Sequence, residues 1–257
     1  MIYKLEAACG CNTGKIRANN EDNFYFNGRC LREDNNGLKR AAYVEQILKP
    51  GFCAAVFDGM GGENFGEAAS FAAANAMRNT ERTLSQYLIP ERQYLNELCF
   101  KINEEVVRAA RERRTYRMGS TMVALYFSLR FVYVCNLGDS RAYRLRGNEL
   151  MQLSQDHVEK IQMFDRAGNP KKAPLTQHLG IDPEEMLIEP YIAKGRIQSG
   201  DQYLLCSDGL TDMLSNLEIY EIMKSYSNAD ECVDALIQAA LDAGGKDNIT
   251  VILCKLK

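Results

Sequence analysis

The spacing of residues 120–146 constrains this chain more than any other feature. Runs rich in β-branched and aromatic residues at 121–128, 131–136 and 141–146 follow one another with only a few residues between them. Parallel strands need a crossover of about a dozen residues or more, so such short gaps favour an antiparallel meander. Further strands are expected at 2–8, 22–27, 52–57, 202–206 and 249–256. Helical periodicity falls in pairs between them, at 66–79 and 91–114, then at 217–226 and 230–243. In the second helix Leu95, Leu98, Ile102, Val106 and Ala110 recur at threes and fours, as one buried face requires. Helix pairs alternating with groups of antiparallel strands predict an α+β fold, a four-layer α-β-β-α sandwich of two antiparallel sheets flanked by helix pairs. No repeat, linker or low-complexity tract interrupts the chain, so 1–257 reads as a single domain.

Composition excludes several classes. Hydrophobic residues make up 46% and charged residues 25%, an ordinary globular balance. A net charge of −3 supplies no basic field for nucleic acid. No apolar run is long enough to cross a bilayer and residues 1–10 have no signal-like core, so a cytoplasmic protein without membrane contact is expected. The nine cysteines are odd in number, lack a CxxC pair and lie mostly in apolar runs, which predicts buried free thiols. Cys9 and Cys11 form an isolated C-x-C without the partners a zinc site needs, and there are only two histidines, His157 and His178. Any metal must therefore be held mainly by oxygen.

Acids stand where apolar runs end. Phe52-Cys-Ala-Ala-Val-Phe57 leads into Asp58-Gly-Met-Gly-Gly62, and Gln202-Tyr-Leu-Leu-Cys206 leads into Ser207-Asp208-Gly209. Asp139 follows Asn136-Leu-Gly, and Asp247 precedes the last strand in Gly244-Gly-Lys-Asp-Asn248. Each Asp-Gly alone reads as a turn. Carboxylates gathered at adjacent strand ends repel one another, however, and a divalent cation compensates them. Oxygen ligands select magnesium, manganese or calcium, and the absence of a D-x-D-x-D-G loop disfavours calcium.

Arg17-Ala-Asn-Asn-Glu-Asp22, Phe57-Asp-Gly-Met-Gly-Gly62, Gly119-Ser-Thr121, Gly138-Asp-Ser-Arg141, Ser207-Asp-Gly-Leu210 and Gly245-Lys-Asp-Asn248 resemble, in order, the motifs of the metal-dependent type 2C protein phosphatases. The resemblance spans nearly the whole chain and is strongest to the compact bacterial branch. It implies the same sandwich, with a two-metal centre of Mn2+ or Mg2+ at one edge of the sheets. By that resemblance Asp58 bridges the two metals, Gly59 binds one through its carbonyl, and Asp208 and Asp247 complete the other. Asp22 is a ligand directly or through water, and Glu21 stands close behind. Asp139 with Asp208 holds a third, weaker ion, and Arg17 grips the phosphoryl oxygens, a task suited to its paired donors.

The implied reaction is hydrolysis of phosphoserine and phosphothreonine in proteins by a water, acidified to hydroxide between the metals. No enzyme nucleophile is needed, in keeping with a sequence that lacks the Cys-x5-Arg loop of cysteine phosphatases. Met60 stands where other members carry a histidine, which leaves a metal-bound water as the alternative proton donor. The resemblance implies a monomer acting on phosphorylated proteins, opposite a serine/threonine kinase. A non-catalytic phosphoprotein-binding relative would have lost some of Asp58, Asp208 and Asp247, and all three are present.

Other features admit plainer readings. His157, in Ser154-Gln-Asp-His157, is expected at the head of a helix in a structural role. His178 lies in a loop near residues 158–174, which match the family's flap over the active-site channel but are short for it. Arg108, Arg111, Arg113, Arg114 and Arg117 crowd a helix end, where they suit the dipole or, alternatively, dock acidic partners. Residues 29–49 are read as a polar hairpin excursion between two strands.

Overall fold

A computed structural model describes residues 2–60, 65–84, 89–164 and 170–257. Gly61 and Gly62 of the Asp-Gly-Met-Gly-Gly run, and part of the flap-like segment, lie outside the described residues. In chain order the elements are β1 (Lys4–Asn12), β2 (Asp22–Phe26), β3 (Ala42–Ile47), β4 (Phe52–Met60), α1 (Gly66–Leu84), α2 (Glu91–Glu112), β5 (Gly119–Ser120), β6 (Met122–Phe127), β7 (Phe131–Leu137), β8 (Arg141–Arg146) and β9 (Glu149–Gln152). There follow β10 (Met163–Phe164), β11 (Pro170–Lys171), β12 (Tyr191–Arg196), β13 (Gln202–Cys206), α3 (Asp208–Thr211), α4 (Asn216–Ser225), α5 (Ala229–Asp242) and β14 (Ile249–Leu256). No described helix is long and apolar enough to cross a membrane.

Two antiparallel sheets run β3-β1-β14-β13-β8-β9 and β12-β7-β6-β4-β2, with β5 added beside β4. They pack face to face through one apolar layer that includes Leu5, Phe24, Val56, Phe127, Tyr203 and Ile252. Phe127 and Tyr203 meet edge to face across it, their ring centroids 5.5 Å apart. A second apolar layer seats α1 and α2 on the β4 sheet; Leu95, Leu98 and Ile102 of α2 are buried there, as the periodicity predicts. A third seats α4 and α5 on the β14 sheet. The expected α-β-β-α order of layers is present. Helix α4 starts at a capping box, in which Ser215 Oγ accepts from the Glu218 amide and the Glu218 carboxylate accepts from the Ser215 amide.

The structure corrects three expectations. Strands β6 and β7 form the expected hairpin, but β8 does not continue the meander: it pairs with β9 and β13 in the opposite sheet. The chain changes sheet at Gly138, whose φ of +97° lies where L side chains are strained and whose Cβ position falls 2.7 Å from the Thr121 side chain. Residues 29–49 are not a bare excursion, because Ala42–Ile47 adds an edge strand to β1. His157 heads no helix; its ring Nδ1 accepts from the Gly138 amide at 3.2 Å and so steadies the sheet-changing turn.

All nine cysteines are free and all but Cys30 are buried, as expected. Of the arginine cluster, Arg108 pairs with Glu105 and Glu112, Arg111 with Asp182 and Arg113 with Glu33, so much of its charge is already matched within the chain.

Candidate active site

Residues from distant parts of the sequence line one cavity of about 580 Å³, among them Arg17, Glu21, Asp58, Gly59, Asp139, Lys172, Asp208 and Asp247. Asp58 arrives on β4 of one sheet. Asp208 opens α3 directly after β13 of the other, and Asp247 precedes β14 beside it. Asp139 lies in the turn between β7 and β8, where the chain passes from one sheet to the other.

The backbone around Asp58 is pinned. Its amide donates to Thr121 Oγ1 at 3.1 Å, and its carbonyl accepts from the Thr121 amide at 2.8 Å and from Ser120 Oγ at 3.0 Å. The next residue has no room for a side chain: a Cβ on Gly59 would stand 2.0 Å from the Gly66 carbonyl oxygen and 2.6 Å from that of Glu21. The Gly59 amide donates to that same Glu21 carbonyl at 3.0 Å. Asn248 then ties the loop carrying Arg17 and Glu21 to β14. Its Oδ1 accepts from the Glu21 amide at 2.7 Å, and its Nδ2 donates to the carbonyls of Thr13 at 2.8 Å and Asn19 at 3.0 Å.

Burial, and then the crowding of acids, sets the electrostatics. Burial pushes the Asp58 carboxyl well above the usual carboxylate range, and the neighbouring charges of Asp208, Asp22 and Asp139 push the same way. Burial raises Asp139 as well, partly offset by Lys172, and raises Glu21, with Glu67 adding to the effect.

Asp22 differs from the others. It is 1% exposed, pairs in register with Asp58 across β2 and β4, and is not among the cavity's lining residues. Its Oδ2 accepts from Ser207 Oγ and Thr250 Oγ1, both at 2.7 Å. Burial lifts its pKa to about 7 against those two hydrogen bonds, with Asp208 and Asp247 adding to the rise. Asp22, expected as a ligand directly or through water, thus stands outside the cavity lining with one carboxylate oxygen engaged by two hydroxyls.

Two cations reach into the acids. Arg17 pairs with Asp247 at 2.7 Å. Lys172, which motif reading missed, pairs with Asp208, with Asp139 at 3.0 Å and with Asp212 at 3.7 Å. Burial opposes its charge, but the carboxylates of Asp208 and Asp139 outweigh that and hold the ammonium above its usual pKa. Nothing in the local sequence marks Lys172, since its role depends on where a loop lands. Among the described residues, no group of three or more His, Cys, Asp and Glu is gathered so that it could hold a metal ion as it stands.

The donor set nevertheless suits a hard cation: acidic oxygens dominate, their mutual repulsion is incompletely compensated, and Gly59 joins them in lining the cavity. His178 is not among the residues lining the cavity; its Nδ1 lies 2.9 Å from the Leu179 carbonyl oxygen.

The protein phosphatase 2C family model matches residues 42–250. The serine/threonine phosphatase stp of Listeria monocytogenes is 32% identical over 260 aligned residues, covering 97% of this chain and 95% of that protein. The crystal structure of the Mycobacterium tuberculosis serine/threonine phosphatase PstP/Ppp superposes with a TM-score of 0.76 at 27% identity, covering 99% of both chains. The PstP catalytic domain in complex with two manganese ions has a TM-score of 0.74 at 26% identity, covering 100% of this chain and 99% of that one. With a family match across most of its length and a relative aligned nearly end to end, the chain belongs to the protein phosphatase 2C family of serine/threonine phosphatases.

Proposed function

We propose that residues 1–257 act as one catalytic domain that hydrolyses phosphoserine and phosphothreonine monoesters of proteins at a pair of Mn2+ or Mg2+ ions. The observation that carries this reading is the convergence of Asp58, Asp208 and Asp247, brought from both sheets, on one open polar cavity. The Asp58 carboxylate and the Gly59 carbonyl would hold the ions from one side, and Asp208 and Asp247 from the other. Asp139 with Asp208 offers a third, weaker position. The chemistry that such a pair of cations supplies when bound is a water acidified to a nucleophile near neutral pH, together with charge to offset the phosphoryl oxygens.

The chain's own residues do the remainder. Thr121 and Ser120 fix the Asp58 backbone, so its carboxylate meets the cavity without reorganising. Asp22, outside the lining, is oriented by Ser207 and Thr250. Arg17 stands at the cavity wall with its side chain about half exposed, free to exchange Asp247 for the phosphoryl oxygens of a substrate, where its planar fork gives paired hydrogen bonds. Glu21 adds an acid to the same cavity, its charge partly offset by Arg17.

The test is p-nitrophenyl phosphate hydrolysis with manganese, with magnesium and with chelator, beside an Asp208→Asn variant. Manganese-dependent turnover should fall at least about a hundredfold in a variant that retains its fold. Turnover that survives both chelation and Asp208→Asn refutes the reading.

A further inference from the structure

Lys172 belongs to none of the motifs that built the cavity, yet its ammonium is the cation most deeply engaged with the acids. It contacts Asp208, lies 3.0 Å from Asp139 Oδ2 and stands 3.7 Å from Asp212 Oδ2. The backbone just beyond it is fixed: Val158 bridges Leu175, the Glu159 amide donates to the Pro174 carbonyl at 3.0 Å, and the Thr176 amide donates to the His157 carbonyl at 2.9 Å. The lysine thus descends from an anchored strap. Asp139, one of its partners, is only 8% exposed. The lysine side chain is 48% exposed, so the pair is buried at its carboxylate end and open to solvent at the other.

An ammonium is a compact point charge that offers three donors. Here it stands where the carboxylates of Asp139 and Asp208 face each other. We propose that Lys172 is a tethered cation that competes with a divalent ion for the Asp139–Asp208 pair, so that loading this position requires the lysine to leave. The inference rests on the metal reading of the cavity given above. It adds that the weakness of this position in this chain is set by a side chain of its own, carried two residues before the Pro174 carbonyl that the Glu159 amide holds. A neighbouring unit charge changes a carboxylate's affinity for the proton by about 1 to 3 pKa units. Removing Lys172 should therefore tighten divalent binding at this pair by at least about tenfold.

The experiment is calorimetric titration of the full chain with Mn2+, comparing wild type, Lys172→Gln, Lys172→Arg and the double variant Lys172→Gln/Asp139→Asn. Lys172→Gln should gain a class of site at least about tenfold tighter than the weakest wild-type one. Lys172→Arg, which keeps the charge, should follow the wild type, and the double variant should lose the gain. In chelator, Lys172→Gln should melt below wild type, because its acids lack their counter-charge, and Mn2+ should raise its Tm by more. Superimposable isotherms for wild type and Lys172→Gln, or a gain that persists without Asp139, overturn the inference while leaving the two-ion reading standing. Absence of Mn2+ binding in every protein overturns both.

Discussion

Replacing Asn248 with alanine tests whether the loop bearing Arg17 and Glu21 is held by one side chain. Asn248 is 3% exposed and makes three side-chain hydrogen bonds, to the Glu21 amide, the Thr13 carbonyl and the Asn19 carbonyl. Each is worth about 1 kcal/mol net, and their loss leaves backbone groups partly unsatisfied, so the variant should lose about 3 kcal/mol. For a chain of this size each kcal/mol shifts Tm by about 2 to 4 °C, which gives a fall of about 6 to 12 °C. Melting followed by circular dichroism in excess chelator reads this without contribution from bound metal. Asn248→Asp, which can still accept from Glu21 but cannot donate to the two carbonyls, should lie between the two. The same loosening should raise KM for p-nitrophenyl phosphate, since Arg17 rides on the freed loop. An Asn248→Ala protein that melts within about 2 °C of wild type refutes the claim that this side chain is the tie.

Two further outcomes follow from the cavity. Gly59→Ala places a methyl against backbone on two sides, so urea titration should show a loss of about 1 to 3 kcal/mol, and calorimetry weaker Mn2+ binding; wild-type values for both contradict the close approach at this residue. For Asp22, burial favours the protonated native form, with a pKa of about 7 against the usual 3.8. The unfolded chain therefore releases this proton first as pH rises, and the group's contribution to stability is full below about 4 and lost on the way to about 7. In chelator, Tm should decline over that window and the decline should flatten in Asp22→Asn; an equal slope in both proteins assigns it elsewhere.

The sequence disclosed elements whose side chains have one dominant environment. β13 and β14 are mostly apolar and their ends fall where the residues predict, and the buried stripe of α2 is complete from Leu95 to Ala110. It disclosed less where a strand is half wet or where topology decides. Ala42–Ile47 alternates exposed and partly buried positions on a sheet edge, so its polarity resembles that of a loop. The gap between Leu137 and Arg141 is short enough for a hairpin, and nothing in its composition says that β8 joins the opposite sheet. Asp58, Asp139, Asp208 and Asp247 were legible because each stands at one end of an apolar run. Asp22 was legible as an acid but not as a buried one, since its partners Ser207 and Thr250 lie 185 and 228 positions away. Lys172 left no trace, because a flexible side chain on a loop is placed by the surrounding surfaces and not by its neighbours in sequence.

The change of sheet at Gly138 makes the cavity a seam. Asp58 is anchored to one sheet, Asp208 and Asp247 to the other, and Asp139 to the stitch between them. Any ion shared across the seam acts as a rivet, and its grip reports the distance between the two sheets. Slack introduced far from the acids, such as loss of the Phe127–Tyr203 contact, would therefore register as a looser rivet before it registered as a broken fold.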